Sequence, residues 1–137
     1  MRDIGNREDI DRLMSAFYQK AMTDPSIGYI FTDVAKLDLE HHLPIIGDFW
    51  ESMLFRTGDY GRHGRTPLMI HGELNAKTPL QREHFEQWLE IFEGCVDEMF
   101  AGDNAEHIKL RAQAIAARML QFLGQSSPRP VIRPEGV

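Results

Sequence analysis

The stretch Asp38-Leu39-Glu40-His41-His42-Leu43-Pro44-Ile45-Ile46-Gly47-Asp48-Phe49-Trp50, continued by Glu51-Ser52-Met53-Leu54-Phe55, decides the fold class. Leu39, Leu43, Ile46, Phe49, Trp50, Met53 and Leu54 recur at three- and four-residue steps, the spacing of one buried helix face, and Asp38 can accept a bond from the first free N–H groups. A helix over residues 39–55 follows. Pro44 brings no N–H, so the first turn is expected to be bent or irregular. His42 sits beside that irregularity, and His41 competes with it for the inward direction.

The same period extends both ways along the chain. Residues 7–23 place Ile10, Leu13, Met14, Phe17, Tyr18, Ala21 and Met22 on one stripe, with Asn6 as cap and Pro25 as terminator. Gly28 suits the turn that follows, and Tyr29, Ile30 and Phe31 are too apolar to be left in water. Residues 56–65 hold Gly58, Gly61, Gly64, His63 and three arginines, which reads as an exposed basic loop. Thr66 as cap and Pro67 at the first helical position open a short helix carrying His71, which Gly72 soon interrupts. Thr78 and Gln81 have capping-box spacing ahead of a long helix to about residue 101, with Phe85, Trp88, Leu89, Phe92, Cys95, Val96, Met99 and Phe100 inward. Asp103 and Glu106 cap a last helix to about residue 123, buried through Ile108, Ile115, Met119, Phe122 and Leu123. No segment alternates with period two, so the chain is all-α: one domain over residues 1–124 and a flexible, proline-containing tail over 125–137.

Composition removes several function classes. A chain of 137 residues can bury about two thirds of its unfolded surface, enough for a core with an internal cavity. Fifteen basic against twenty-one acidic residues, net charge -6, offer no general attraction to phosphate, so nucleic acid is not expected as a partner. The single cysteine, Cys95, lies on an apolar face and reads as a core residue in a reducing compartment. Neither a signal peptide nor a span of about 20 apolar residues is visible, which predicts a soluble cytoplasmic protein without a membrane partner.

Six histidines raise the question of a metal. A di-metal carboxylate bundle needs two Glu-x-x-His motifs, yet Leu68, Gln81 and Asn104 stand three residues before His71, His84 and His107. With one cysteine and no His-Glu-x-x-His string, a zinc site lacks ligands, and no phosphate-binding glycine loop lies between a strand and a helix. A haem site asks for less: one neutral imidazole, an apolar cavity and a few polar groups on the distal side. His71, Tyr18, His42 and Trp88, on four helices, can converge to supply it, while His84 and His107 read as surface or structural.

The order of motifs resembles the group III truncated haemoglobins of bacteria: Phe17-Tyr18, Ile30-Phe31, His42 with Ile46-Gly47-Asp48-Phe49-Trp50, Gly58-Asp59-Tyr60, Pro67-Leu68-x-x-His71 and Phe85-x-x-Trp88-Leu89. The resemblance covers about residues 7–123, and the segment from His71 to Trp88 is a few residues longer than the family pattern. It implies a shortened globin fold, two helices over two, around haem b. His71 would be the proximal iron ligand, and Tyr18, His42 and Trp88 would line the distal side. Phe31, Ile46, Phe49 and Trp50 would enclose the cofactor; apart from the resemblance, Arg62, His63 or Arg65 of the basic loop are read as propionate contacts, with plain solvated charges as the alternative. The implied function is binding of dioxygen, nitric oxide or carbon monoxide, made tight and slow by two or three hydrogen bonds of about 0.5–1.5 kcal/mol each. Such retention suits reaction of the bound gas better than oxygen transport. Two alternatives stand beside it: a haem enzyme, a nitric oxide dioxygenase or peroxidase, served by an external reductase, and a cofactor-free helical interaction module. A monomer or weak dimer is expected.

Overall fold

A computed structural model of the chain describes residues 1–56 and 80–126. Among them every regular element is helical: α1 (Arg7–Met22), a short π-helix (Ile30–Val34), α2 (Leu39–Phe55), α3 (Arg82–Met99) and α4 (Asp103–Ser126). α1 packs against α2, α3 and the π-helix, and α4 packs against α3 and α2. No helix among the described residues is long and apolar enough to cross a membrane. The core runs through the expected stripes: Ile10, Leu13, Met14, Phe17 and Ala21 of α1, Trp50 of α2, Phe92, Cys95 and Val96 of α3, and Ile108 and Ala112 of α4.

The caps explain where the elements start. Asn6 accepts from Asp9 N–H at 2.9 Å, and Asp38 accepts from Glu40 N–H at 3.2 Å. α2 runs unbroken across Pro44, so the expected irregularity reduces to one missing N–H, whose carbonyl partner would be that of the exposed Glu40. Arg56, in the left-handed region at φ 59°, ends the helix.

Two starts differ from the sequence reading. α3 begins at Arg82 with Gln81 as N-cap, three residues later than a Thr78 cap would place it. His84 Nδ1 accepts the Gln81 N–H at 3.0 Å, and Leu80 is drawn onto the internal cavity instead of continuing a helix. α4 is capped from far away in the chain: the Asp3 carboxylate accepts from Asn104 N–H and Ala105 N–H, both at 2.8 Å. Gly102, at φ +143°, brings the chain so close to Asp3 that a Cβ there would lie 2.5 Å from the carboxyl carbon. The segment before α1 is thus a strap, with Ile4 fully buried. Its carboxylate neighbour Asp9, also buried, is held by Arg2, by Arg12 at 2.6 Å and by Gly5 N–H at 2.8 Å. α4 extends to Ser126, past the boundary read at residue 124, and the expected tail from 127 on lies outside the described residues.

Arg7 clamps α1 to α2. Its guanidinium meets Asp48 at 2.6 Å, Glu51 at 2.8 Å, Asp11 at 2.8 Å and the Pro44 carbonyl at 3.2 Å. It can lie flat on α2 because residue 47 is glycine, where a Cβ would stand 2.6 Å from a guanidinium nitrogen. With Arg7 across its outer face, α2 turns the opposite face, with His42 and Ile46, toward the molecule's interior.

Candidate functional site

Tyr18 is placed by the α1 stripe: Leu13, Met14 and Phe17 fix the helix against the core, and Tyr18 is carried into the same interior with 7% of its surface exposed. Its ring meets Phe17, Phe31 and His42 edge to face, with centroids 4.9, 6.0 and 5.2 Å away. The π-helix sets Phe31 there, since Gly28 allows the tight turn that precedes it; a Cβ at Gly28 would lie 2.6 Å from the Met22 carbonyl oxygen. His42 takes the inward direction on α2, while its neighbour His41 is exposed. The Tyr18 hydroxyl and His42 Nε2 are 2.8 Å apart.

That bond sits in an otherwise apolar wall. Burial pushes the Tyr18 phenol well above its usual range, so the group stays protonated and brings one proton to the pair. Either the phenol donates to Nε2, or an Nε2–H donates to the phenol oxygen and leaves the hydroxyl proton for something else.

Trp88, one turn and a half into α3, stacks on Phe92 at 5.4 Å and 12°, and Phe92 stacks on Trp50 at 5.4 Å and 25°. Phe17 meets Trp88 edge-on at 5.9 Å. These contacts hold the indole plane against α1 and α2 at one wall of the cavity. Among the described residues the indole N–H makes no hydrogen bond.

Tyr18, His42 and Trp88 line one cleft between α1, the π-helix, α2, α3 and α4. The space between its walls, open mouth included, is about 1120 Å³. Phe31, Ile46, Phe49 and Trp50 all face it, joined by Met14, Phe17 and Phe92 from the core side and Ile115, Ala116 and Met119 from α4. His71 and Arg65, with Arg62 and His63, lie outside the described residues. His107 is exposed. No group of three or more His, Cys, Asp or Glu side chains placed to hold a metal ion occurs among the described residues.

His84 differs from its sequence reading. It does serve as a structural cap, but it also lines the cavity, and its Nε2 lies 3.5 Å from the hydroxyl of exposed Tyr29. Its position three residues after Gln81, the place of a reciprocal capping partner, was the available signal; a Thr78 cap obscured it. Ile45 is a second missed lining residue, off the main stripe of α2.

A small all-α chain that wraps its helices around an apolar cleft, with a buried tyrosine bonded to a half-buried histidine as the inner polar pair, has the architecture of a globin. Comparison with known proteins defines it further. No protein-family profile matches the chain. The chain is 34% identical over 121 residues to the group 3 truncated hemoglobin of Campylobacter jejuni, covering 86% of this chain and 91% of that protein. The crystal structure of the group III truncated hemoglobin from Campylobacter jejuni superposes with a TM-score of 0.77 at 33% identity, covering 90% of this chain and 95% of the other. The chain belongs to the group III truncated haemoglobins.

Proposed function

We propose that this protein binds haem b and uses it to bind dioxygen, nitric oxide and carbon monoxide. The observation that carries the reading is the 2.8 Å Tyr18–His42 bond, a polar pair set in the wall of an otherwise apolar cleft. Family membership implies haem, and the residues fit it: aromatic and branched side chains offer flat apolar walls, and the few polar groups are grouped instead of scattered. We assign His71 as the proximal ligand from its motif with Pro67 and Leu68. When bound, haem would supply an iron centre able to bind diatomic gases.

The chain's own residues then set how firmly a gas is held. Phe31, Ile46, Phe49 and Trp50 exclude water. With Nε2 protonated, His42 donates to the Tyr18 oxygen, and the Tyr18 hydroxyl is free to donate into the cavity. Trp88, on α3, supplies a second donor in the cavity lining. The pair acts as a short relay, each member orienting the next.

The same relay favours a second reading, a nitric oxide dioxygenase or peroxidase-like enzyme, because a protonated phenol bonded to an imidazole can lend a proton to an oxygen-bearing ligand. In this reading the electrons come from an external reductase. Reconstitution with haemin tests both. The gas-binding reading predicts uptake, then spectrally distinct complexes of the reduced protein with carbon monoxide and dioxygen. Sustained consumption of nitric oxide or peroxide on adding a reductant would select the enzyme. Failure of the reduced, haem-loaded protein to take up carbon monoxide would refute both.

A further inference from the structure

We infer that Tyr29 and His84 form the docking point for one carboxylate of the cofactor at the mouth of the cleft; the inference rests on the haem reading above. Haem b is an apolar disc with two carboxylates on one edge. A carboxylate cannot be buried without donors, so that edge belongs where the cavity meets water and where N–H or O–H groups stand ready.

The described polar residues on the cavity wall narrow the choice. Tyr18, 7% exposed, is bonded to His42 in the inner wall, and that pair and the Trp88 N–H are assigned above to the bound gas. His84 remains, half-buried in the first turn of α3, with Tyr29 beside it at 42% exposure. This is the polar end of the wall that reaches solvent.

The tautomer of His84 follows from its cap. Nδ1 accepts the Gln81 N–H at 3.0 Å, so it carries no proton, and the neutral ring bears its proton on Nε2. That N–H is aimed toward Tyr29, whose oxygen is 3.5 Å away, too far for a good bond between the two. Two donors held side by side with a long mutual contact suit one oxygen anion that accepts from both. The N-terminal turn of α3 adds a favourable dipole, while Arg82 and Glu83 in that turn offset each other in charge. The edge-on packing of the two rings, centroids 6.4 Å apart, keeps the donors in place.

The test compares haemin with haemin dimethyl ester, which keeps the disc and removes the charge. Release of each from the loaded full chain to an excess of a haem-scavenging apoglobin is followed in the Soret region. Wild type should hold haemin roughly tenfold longer than the ester. Tyr29→Phe and His84→Phe should each speed haemin release several-fold and leave ester release unchanged. His84→Gln, which keeps both the cap acceptor and a donor, should retain the wild-type rate. Because His84→Phe also removes the acceptor for Gln81 N–H, Tyr29→Phe carries the test if that variant does not fold. Equal acceleration of haemin and ester, or no change in haemin release from Tyr29→Phe, overturns the assignment. Failure of folded wild type to take up either compound overturns the haem reading itself.

Discussion

Replacing Tyr18 by Phe removes a single oxygen atom from a side chain that is 7% exposed and leaves the ring contacts with Phe17, Phe31 and His42 possible. The loss is therefore chemical and not steric. One neutral hydrogen bond to a gas in the cavity is worth about 0.5–1.5 kcal/mol, so dioxygen should leave the reduced, haem-loaded variant about two- to twelvefold faster. Stability should fall by about 1 kcal/mol, since the 2.8 Å bond to His42 goes as well. Stopped-flow displacement of dioxygen by carbon monoxide gives the rate. The relay adds a sharper requirement: if His42 acts by orienting the Tyr18 hydroxyl, His42→Leu should accelerate release in the wild type and add little in the Tyr18→Phe background. A Tyr18→Phe release rate equal to that of wild type, or full additivity of the two changes, would refute the donor chain.

Three further outcomes follow from the packing. Gly47→Ala should destabilise by about 1 kcal/mol despite the better helix propensity of alanine, because its Cβ displaces Arg7 from Asp48 and Glu51; in an Arg7→Ala background the same change should become stabilising, as urea denaturation can show. Asp3→Ala should cost about 1–2 kcal/mol, read from the urea midpoint, by uncapping α4 at Asn104 and Ala105. Acid should weaken the strap. The hydrogen bond from Arg2, with further bonds from Gly5 and Arg12, holds the Asp9 carboxyl well below the usual range, and against the cost of burial the Asn104, Ala105 and Ile4 N–H groups lower that of Asp3. A carboxyl depressed in the folded state contributes fully above its unfolded pKa of about 3.9 and loses that contribution as pH falls toward the folded value. Stability should thus decline below about pH 4, and Asp9→Asn should flatten that decline.

The long helices were legible because each carries a strong apolar stripe and a local cap. Asn6 and Asp38 lie next to the helices they serve, so α1 and α2 start where their sequence says. Starts set by distant residues were not legible. Asp3 caps α4 from a hundred positions away, and nothing in Asp103 or Glu106 reveals it. The inner site was readable for the same reason as the helices: Tyr18, His42 and Trp88 sit on or beside stripes, and the stripes converge. The choice between His41 and His42 was not, since adjacent residues differ only by which face the tertiary packing turns inward; the Arg7 clamp on α2 settles it. His84 was passed over because here a histidine fills the third helical position usually held by glutamate or glutamine in a capping box, a role that a Thr-x-x-Gln pattern nearby disguised.

The decisive measurement is the Soret and visible spectrum of wild type and His71→Gly, each with added haemin, in ferric, ferrous and carbonmonoxy forms, with and without imidazole. The haem reading predicts that wild type takes up haemin and binds carbon monoxide when reduced, and that the variant loses the ferrous signature of an imidazole-ligated iron and regains it with imidazole. A folded wild type that gains no Soret band would contradict the account and leave the cofactor-free helical module; an unchanged spectrum in His71→Gly would move the axial ligand elsewhere.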